Sequence, residues 1–580
     1  MPLSIAQINF FLASLAKSKY LHEARLLSPL ENSLLQDRNV VAAIAGKLVI
    51  EKNTVELYVG VREDFPRSLP VIFLQPPDAF GFIPHVEESG YICYSQTEGL
   101  LLNFADPVGI LWDAIERAIS TIQSGIDGEN CWDFMNELPW YWKRVSTKIL
   151  RGFFSVDDVL RKVFVYRDRS GDRFIADSLQ TIQAYFNGKT RGLNALNCRG
   201  ALYIPLEETL ILPPTSKQLW NSATIRELMK HLSPQNRQRY ISLQNKRRKF
   251  EDFIILGLPR PSGGRTLAAL DSTIINRSPS NPIVKMSDSP QPIAIKRYDP
   301  GYLLPRGGGK LDLANFKVIL IGCGSIGGHV ACNLVQSGIR QLTLVDPDCL
   351  TRENTYRHYL GMSAEGEPKV TALKNELERK FPYLSIASYP TLIEEAIRQN
   401  SVNLDTFDLI MVAIGDDTAQ LYLNQLLHKE YQHPIAVFTW VEPHSIGGHS
   451  LLTRPKQSGC FQCLFTDPFD PDTPLYNRAA FAAYGQFFGQ DDLGCGSSYT
   501  PFGVLDVQKT AEQAVRLGLD ALLQQEKQSS LLSWKGRSEA FIAAGFQLSP
   551  RYQQQIEEQL RAKKYEHINP NCLVCGTKHE

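Results

Sequence analysis

The sequence Lys317-Val-Ile-Leu-Ile-Gly-Cys-Gly-Ser-Ile-Gly-Gly-His329 decides the fold of the C-terminal half of the chain. Its apolar and β-branched run, Val318 to Ile321, is typical of a buried parallel strand. Gly322, Gly324 and Gly327 follow as a G-x-G-x-x-G turn, and an apolar segment comes next. Such glycines let the backbone approach a phosphate closely, and the helix that follows points its positive N-terminus at that phosphate. The pattern predicts a nucleotide-binding unit.

A carboxylate follows at the position that a ribose would need. The run Gln341-Leu-Thr-Leu-Val-Asp346 is a second strand, and Asp346 lies 19 residues after Gly327. Strand, glycines, helix, strand and acid in this order predict a βαβ unit. The order alone does not separate an ATP site from the dinucleotide site of a dehydrogenase.

Basic residues after the second strand favour a triphosphate. Arg357 and Lys369 supply a planar fork and a point charge, which suit phosphate oxygens. The next apolar run ends in Asp416 and Asp417. A carboxylate at the C-terminal end of a strand, facing a triphosphate, is a natural Mg²⁺ ligand. Asp416 is the first candidate, and Asp417 is the alternative one register away.

Bulk properties restrict the class of protein. A chain of 580 residues is too long for one core, so we expect three or four domains. The formal net charge of zero gives no reason to expect a nucleic acid partner. We find neither an apolar run long enough for a membrane span nor a signal peptide, and we expect a cytoplasmic protein. Eleven cysteines, an odd number, suggest thiols, nucleophiles or metal ligands rather than disulfides.

The N-terminal segment predicts a helix, a meander of strands and a further helix. A possible capping box and helical spacing predict the first helix, and alternating or apolar runs predict the strands. The predicted elements are a helix over 5–15, strands over 40–50, 54–61 and 71–74, and a helix over 106–124.

The segment Phe82-Ile-Pro-His-Val-Glu-Glu-Ser-Gly-Tyr-Ile-Cys93 resembles the active loop of ubiquitin-conjugating enzymes. That family has a His-Pro-Asn triplet and a cysteine eight residues after the Asn; here Cys93 lies eight residues after His85. The resemblance implies that Cys93 carries a thioester. Without it, Cys93 would be interpreted as a small buried apolar residue. His85 replaces the Asn, and either donates a hydrogen bond to the developing oxyanion or only packs the loop.

Residues 141–300 predict an α+β linking domain to which we assign no chemistry. Residues 162–167 and 173–176 read as a hairpin, and 253–258 as another strand. The glycine-rich stretch 305–310 predicts a flexible junction.

The C-terminal half resembles the ubiquitin-activating superfamily, with its bacterial relatives of thiamine and molybdopterin biosynthesis. The residues that carry this resemblance are, in order, Gly322, Gly324, Gly327, Asp346, Asp348, Asn354, Arg357, Lys369 and Asp416. The resemblance implies that Asp346 binds the ribose of ATP, and that Asn354 and Arg357 bind the β- and γ-phosphates. It places Lys369 at the α-phosphate and Asp416 on Mg²⁺.

Members of this superfamily often add an arginine from just before the first strand, commonly across a dimer. Arg297 and Arg306 are both candidates for that role. The resemblance therefore also implies a homodimer.

Two C-x-x-C pairs predict a structural zinc site. Cys460 with Cys463, and Cys572 with Cys575, are separated by roughly a hundred residues and provide four thiolates, which suit tetrahedral Zn²⁺. A redox C-x-x-C would need only one pair. The paired knuckles also recur in the bacterial activating enzymes.

Cys495 is the candidate for an activating thiol. It lies between glycines, before a predicted helix over 508–522, and thiolates near helix N-termini are activated. Small activating enzymes with a cysteine before a Ser/Thr-Pro stretch and a helix resemble this arrangement. We interpret Cys323, Cys332 and Cys349 as packing residues.

These patterns predict a multidomain protein. It comprises an N-terminal α+β ubiquitin-conjugating-like domain (1–140), an α+β linking domain (141–300) and a C-terminal α/β Rossmann-like adenylation domain with structural zinc (301–580). This order resembles the bacterial fusions of anti-phage defence operons. The resemblance implies that ATP and Mg²⁺ activate a protein C-terminus, which passes through Cys495 and Cys93 to a target lysine. It implies a cGAS-like nucleotidyltransferase as the activated protein.

Two other classes of enzyme remain open. One is a single-step adenylyltransferase or sulfur-transfer enzyme whose N-terminal half only binds substrate. The other is a nicotinamide or flavin oxidoreductase that uses the same glycine turn, although Arg357 and Lys369 argue against it. A non-enzymatic scaffold has no need for triphosphate residues and spare cysteines.

Overall fold

A computed structural model shows two compact units, which divide the chain differently from its linear order. The first comprises residues 1–177 and 194–296, and the second comprises 178–193 and 297–580. The structure describes residues 21–28, 38–95, 99–188, 198–245, 253–271, 290–467, 475–491 and 498–576, with a few single positions before residue 38. No helix in these ranges is long and apolar enough to cross a membrane. Most of the helix predicted over 5–15 lies outside the described residues.

The first unit begins with an antiparallel meander covered by a helix. Its strands are β1 (His22–Leu26), β2 (Val40–Ile50), β3 (Asn53–Arg62) and β4 (Val71–Gln75). Helix α1 (Pro107–Ile126) begins at Asp106, whose side chain accepts from the backbone N–H of Gly109. Its apolar stripe, which includes Leu111, Ile115 and Ile122, packs on the apolar face of the sheet. The three predicted strands and the predicted helix over 106–124 are confirmed.

Helix α2 (Asp133–Val145) joins this meander to the linking region. Phe134 stacks on Phe82, with ring centres 4.8 Å apart, on the side of the loop that leads to Cys93. On its other side, Trp142 is buried in the next core and donates an indole hydrogen bond of 2.9 Å to the carbonyl of Ile293. The helix therefore packs against two cores of the first unit.

The linking region contains a closed seven-stranded barrel. In spatial order its strands run β10, β11, β5, β7, β6, β8, β9. They are β5 (Lys148–Gly152), β6 (Arg161–Arg167), β7 (Arg173–Ala176), β8 (Arg199–Pro205), β9 (Phe253–Pro259), β10 (Arg265–Asp271) and β11 (Gln291–Arg297). The predicted hairpin β6–β7 and strand β9 are confirmed, but alternation in single strands gave no signal for closure, which depends on pairing between distant segments.

Three helices are inserted between barrel strands. They are α3 (Leu179–Tyr185), α4 (Ser222–Leu228) and α5 (Pro234–Asn245). Helix α3 belongs to the second unit, where the side-chain amide of Asn187 donates to the carbonyls of Glu378 and Phe381. A short excursion from the linking region is thus part of the C-terminal unit.

The second unit is built on a seven-stranded sheet in the order β14, β13, β12, β15, β16, β17, β20. Its strands are β12 (Lys317–Ile321), β13 (Gln341–Val345), β14 (Ser385–Tyr389), β15 (Leu409–Val412), β16 (Ile435–Val441), β17 (Gly447–Thr453) and β20 (Ser530–Lys535), and a separate hairpin pairs β18 (Gln490–Asp491) with β19 (Ser498–Tyr499). The first five strands of the sheet are parallel, whereas β17 and β20 are antiparallel.

The second unit also contains the following helices, some of which cover the two faces of the sheet. They are α6 (Pro300–Arg306), α7 (Ser325–Ser337), α8 (Lys369–Lys380), α9 (Ile393–Arg398), α10 (Asp417–Glu430), α11 (Val504–Leu522), α12 (Glu539–Ala543), α13 (Pro550–Gln554) and α14 (Glu557–Ala562). The predicted α/β architecture, strands β12, β13 and β15, and the helix over 508–522 are confirmed.

The chain reverses its direction of winding at β12. From β12 it proceeds to β13 and β14 on one side, then returns to β15 and β16 on the other. In such a sheet the crevice outside the carboxyl ends of the two strands at the reversal is where ligands bind. The glycine turn follows β12 and Asp416 follows β15, so both lie at this crevice.

Candidate functional site

The glycine turn after β12 is built so that two glycines serve the fold and one faces open space. A Cβ on Gly327 would lie 2.0 Å from the carbonyl oxygen of Gly322, and Gly322 itself has a φ of +90°. A Cβ on Gly324 would meet nothing within 4 Å. Gly324 is also the N-cap of α7 and makes no side-chain cap, so the helix N-terminus faces the crevice.

Asp346 is fixed against the turn. One carboxylate oxygen accepts from the backbone N–H of Cys323 at 2.6 Å, and the other accepts from that of Asp348 at 2.9 Å. The residue is only 6% exposed. This orientation agrees with the sequence interpretation, which placed a carboxylate beside the glycines.

Lys369 reaches the same edge from the start of α8. Its Nζ lies 2.7 Å from Oδ2 of Asp348 and 3.9 Å from Oδ1 of Asp346. Lys369 is 8% exposed, whereas the side chain of Asp348 is 64% exposed. A mostly buried ammonium is thus held at the crevice by a carboxylate that solvent can reach.

His358 supports the glycine turn, a role that the sequence analysis missed. Its Nε2–H donates 2.7 Å to the carbonyl of Cys323, and its Nδ1 accepts from the backbone N–H of Leu360. Burial lowers the pKa of His358, which keeps the ring neutral with the proton on Nε2. Proximity to Arg357 in sequence was the only available hint.

Arg357 connects the site to the segment that follows Cys495. Its Nη2 lies 3.1 Å from Oδ1 of Asn354, so the two predicted residues are adjacent. The guanidinium lies over the ring of Phe502, 4.7 Å from the ring centre. Cys495 itself lies outside the described residues.

Asp416 has a structural task as well as a possible ligand task. Its Oδ1 accepts from the backbone N–H groups of Thr418 and Ala419 and caps α10. Its Oδ2 is not used by this cap, and the residue is exposed. Asp417, the alternative, is the first residue of α10.

The two candidate arginines differ in their partners. Arg297 donates to both oxygens of Asp299, at 2.8 and 2.7 Å, and Asp299 is 2% exposed. Arg306 is exposed, stacks 3.5 Å from the centre of the Tyr302 ring and donates to the Tyr302 carbonyl. The bidentate pair holds Arg297 within its own segment, so Arg306 is the better candidate to reach a ligand.

The four predicted zinc cysteines come together. The sulfur of Cys460 lies 3.6 Å from that of Cys572, and the sulfur of Cys463 lies 3.4 Å from that of Cys575. All four sulfurs lie within 4.8 Å of one another.

The three cysteines that the sequence assigns to packing do not all behave alike. Cys323 and Cys332 are buried, but Cys349 is exposed, so its assignment to packing is wrong. Cys349 lies in the loop that follows the carboxyl end of β13.

Cys93 is exposed, and its loop folds back on itself. The backbone N–H of Cys93 donates 2.8 Å to the carbonyl of His85, and Val86 pairs with Ile92. His85 has a φ of +63°, a left-handed conformation that Asn and His adopt more readily than most residues. A ring nitrogen of His85 lies within 4.8 Å of the Cys93 sulfur, so the imidazole is next to the thiol.

Two carboxylates from α2 flank this imidazole, and the sequence reasoning missed both. Nε2 of His85 lies 3.0 Å from Asp133, and Nδ1 lies 2.8 Å from Glu137. The two acids are four residues apart, so they face the same side of the helix. That spacing was visible in the sequence, but nothing in it linked the helix to the loop.

Two protein-family models match parts of this chain. Residues 303–549 match the model of the ThiF family, and residues 18–150 match that of prokaryotic E2 family B. The chain is 25% identical to the ATP-dependent ubiquitin transferase-like protein Cap2 of Pseudomonas aeruginosa, over 67% of this chain and 72% of that protein. Cap2 of Enterobacter hormaechei is 30% identical over 26% of this chain and 27% of its own length.

Among solved structures, Escherichia coli MccB with MccA-N7isoASN superimposes with a TM-score of 0.33 at 17% identity, covering 46% of this chain and 68% of that one. The fold and both matched families define an enzyme of the activating and conjugating class. The chain is a fused ubiquitin-transferase-like enzyme, with an E2-like domain at one end and a ThiF adenylation domain at the other.

Proposed function

We propose that the chain uses ATP to activate the C-terminus of a protein and transfers it through two cysteines to a target amine. A carboxylate is a poor acyl donor, so attack on the α-phosphorus of ATP, with loss of pyrophosphate, makes AMP the leaving group. Cys495 then displaces AMP to form a thioester, Cys93 displaces Cys495, and a lysine amine displaces Cys93 to leave an amide.

In this proposal Asp346 accepts from the ribose and Lys369 moves from Asp348 to the α-phosphate. Gly324 leaves space for the phosphate, and the N-terminus of α7 faces it. Asn354 and Arg357 bind the β- and γ-phosphates. Asp416 offers Mg²⁺ the carboxylate oxygen that does not cap α10, and Mg²⁺ would neutralise charge on the phosphates.

The observation that carries the proposal is an exposed Cys93 beside His85, on the same chain as a ThiF domain. A single-step adenylyltransferase or sulfur-transfer enzyme, the alternative, needs no thiol in its substrate-binding half. The similarity to the ATP-dependent ubiquitin transferase-like protein of Pseudomonas aeruginosa also favours the relay.

The cysteine cluster suits a structural Zn²⁺. Tetrahedral zinc with bonds of about 2.3 Å places its sulfurs about 3.8 Å apart. The sulfurs of Cys460 and Cys572 are 3.6 Å apart, and those of Cys463 and Cys575 are 3.4 Å apart. One zinc per chain, measured by plasma mass spectrometry, and loss of that zinc in Cys572→Ser would support this assignment. A chain without metal at full thermal stability would contradict it.

The identity of the activated protein and the oligomeric state are proposed from the resemblance to the bacterial fusion enzymes. We propose a cGAS-like nucleotidyltransferase of bacterial anti-phage defence as the protein with the flexible C-terminus. We also propose a homodimer in which Arg306 contributes to the nucleotide site. Arg306→Ala should then weaken ATP binding while leaving the cap, the turn and the zinc cluster intact.

The test separates the steps. ATP–pyrophosphate exchange with the candidate partner should persist in both Cys495→Ala and Cys93→Ala. Cys495→Ala should form no thiol-reducible adduct, and Cys93→Ala should stop at the first adduct and form no amide. Amide formation at the normal rate by Cys93→Ala would overturn the relay and support the single-step alternative.

A further inference from the structure

One helix, α2, makes several contacts with the loop that carries Cys93. Besides Asp133 and Glu137 on His85, α2 contributes Arg144, whose Nη1 lies 2.8 Å from Glu87 of the same loop. The packing of Phe134 on Phe82 adds an apolar contact near the start of the loop. One rigid element therefore touches the loop at three places, two of them polar.

The polar atoms around His85 form a compact set. A ring nitrogen of His85, the sulfur of Cys93 and a carboxylate oxygen of Glu137 all lie within 4.8 Å of one another. Nδ1 is buried and lies 2.8 Å from a carboxylate oxygen of Glu137, while Nε2 lies 3.0 Å from one of Asp133. Each ring nitrogen therefore lies next to a carboxylate that stabilises a proton on the ring, beside the sulfur of Cys93.

We propose that Asp133 and Glu137 are positioning residues that keep His85 protonated, so that Cys93 rests as a thiolate paired with an imidazolium. In this arrangement α2 contributes two side chains to the conjugating site. The arrangement also replaces a neutral amide, the residue at this place in ubiquitin-conjugating enzymes, by a positive charge next to the nucleophile.

The proton balance is simple. In the resting pair, the proton of the Cys93 thiol resides on His85. When Cys93 attacks an incoming thioester, a carbon–sulfur bond forms to Cys93 and the one to the donor sulfur breaks. The donor leaves with the electron pair as a thiolate, and the proton on His85 is free to neutralise it or to hydrogen bond the carbonyl oxygen during the attack.

Electrostatics at the site favour a protonated His85. The hydrogen bond to Cys93, together with the carboxylates of Glu137 and Asp133, raises the pKa of His85 to about 11 despite burial. Among the described residues, the other titratable groups that face this site are Tyr91 and Tyr141, whose pKa values burial raises, so both phenols are neutral at physiological pH. The nearby cations, Arg38 and Arg144, are both paired with Glu87.

The linking barrel gives α2 its fixed position. Met135, Leu138 and Trp142 lie on the side of the helix that does not face His85, in a core that they share with barrel strands β8, β9 and β10 and with helices α4 and α5. The carboxylates thus stand on an element that packs on both sides, as pre-organised positioning of a side chain requires. This gives the linking domain, which had no assigned chemistry, a part in the reaction.

The inference rests on the proposed role of Cys93 as a reacting thiol, but its test needs neither ATP nor a partner protein. The rate of Cys93 alkylation by iodoacetamide is measured against pH on the full chain, with the Cys93 peptide read by mass spectrometry. An ordinary thiol gives a midpoint near pH 8.5. We expect a lower midpoint for the wild type, and a shift upward by about one pH unit or more in the double variant Asp133→Asn with Glu137→Gln.

Glu129→Gln is the matched control, because Glu129 is a nearby acid that bonds Ser124 and does not contact His85. It should leave the midpoint unchanged. His85→Asn keeps a residue that tolerates the left-handed backbone and removes the positive charge, so it should raise the midpoint as the double variant does. Combining it with the double variant should add little, because both remove the same ion pair.

A wild-type midpoint near that of an ordinary thiol, or one that the double variant does not move, would overturn the inference. A purely structural role of the acids would lower thermal stability without moving the midpoint. If the wild type shows a low alkylation midpoint for Cys93 but forms no conjugate, the proposed relay fails while this inference stands. The two failures can therefore be told apart.

Discussion

At the scale of single residues, the glycine turn separates the requirements of folding from those of binding. Gly327 has no room for a side chain, since the Gly322 carbonyl occupies the place of its Cβ. Gly324 has room, and its φ of −73° is open to any residue. The sequence motif treats the glycines alike, but the structure gives them different tasks.

This difference predicts opposite outcomes for two alanine variants. Gly324→Ala should keep the melting temperature of the wild type and weaken ATP binding by about tenfold or more, because its methyl group enters the space that a phosphate would occupy. Gly327→Ala should lower the melting temperature. Thermal unfolding and ATP binding by calorimetry check both variants, and normal ATP affinity in a folded Gly324→Ala chain would contradict the placement of the phosphate.

Asp416 permits a similar separation of tasks. Asp416→Asn keeps an oxygen that can cap α10, since Asn and Asp are about equal at this position, but it removes the charge that Mg²⁺ needs. We expect unchanged thermal stability and a strong loss of pyrophosphate exchange that high Mg²⁺ partly restores. Asp417→Asn is the control, and a larger loss there would move the ligand role to Asp417.

At the scale of elements, helix α2 packs on one side against the loop that leads to Cys93 and on the other side in the core of the linking region. Substitution of two tryptophans of α2, which are two residues apart, would test how much this packing contributes to stability. Trp142 is 2% exposed and bonds Ile293, whereas Trp140 is 41% exposed and stacks on Arg144. Burial, not residue type, should decide the effect of removing each one.

Trp142→Ala should therefore reduce the free energy of unfolding of the barrel by about 3–5 kcal/mol, the usual cost of emptying a large aromatic site. Trp140→Ala should cost less than about 1 kcal/mol. Hydrogen exchange of the barrel strands in both variants measures the difference. Equal protection in the two variants would show that α2 does not support the barrel.

At the scale of the whole molecule, buried histidines make the adenylation unit sensitive to acid. Burial lowers the pKa of His358 and of His449, and His449 lies 3.0 Å from the buried Glu442. The unfolded chain binds protons on these groups near pH 6.5, where the folded chain does not. Stability should thus be complete above pH 6.5 and fall as the pH drops from there toward the lowered folded values.

Thermal unfolding of the full chain between pH 7.5 and 5 tests this expectation. His449→Gln should flatten the pH dependence, even if it lowers the melting temperature at every pH. His433→Gln is the control, because His433 is exposed and should leave the slope unchanged. A melting temperature that stays constant or rises on acidification would contradict the assignment of neutral, buried rings.

The candidate nucleotide residues could be grouped from the sequence because they lie close together along the chain. The glycine turn, Asp346, Asn354, Arg357 and Lys369 fall within two crossover units, where strand and helix periodicity fix the geometry. The local spacing of His85 and Cys93 was readable for the same reason. The two C-x-x-C pairs were correctly predicted to come together, because four thiolates with this spacing favour a common tetrahedral site.

What the sequence by itself determined is therefore the set of local motifs and the order of the elements that carry them. The tertiary structure alone decided the closure of the barrel, the placement of α3 in the second unit, the support of the turn by His358 and the carboxylates of Asp133 and Glu137 on His85. These features join residues whose contacts depend on how separate elements pack. Periodicity reports which face of an element is buried, but not which distant element covers it.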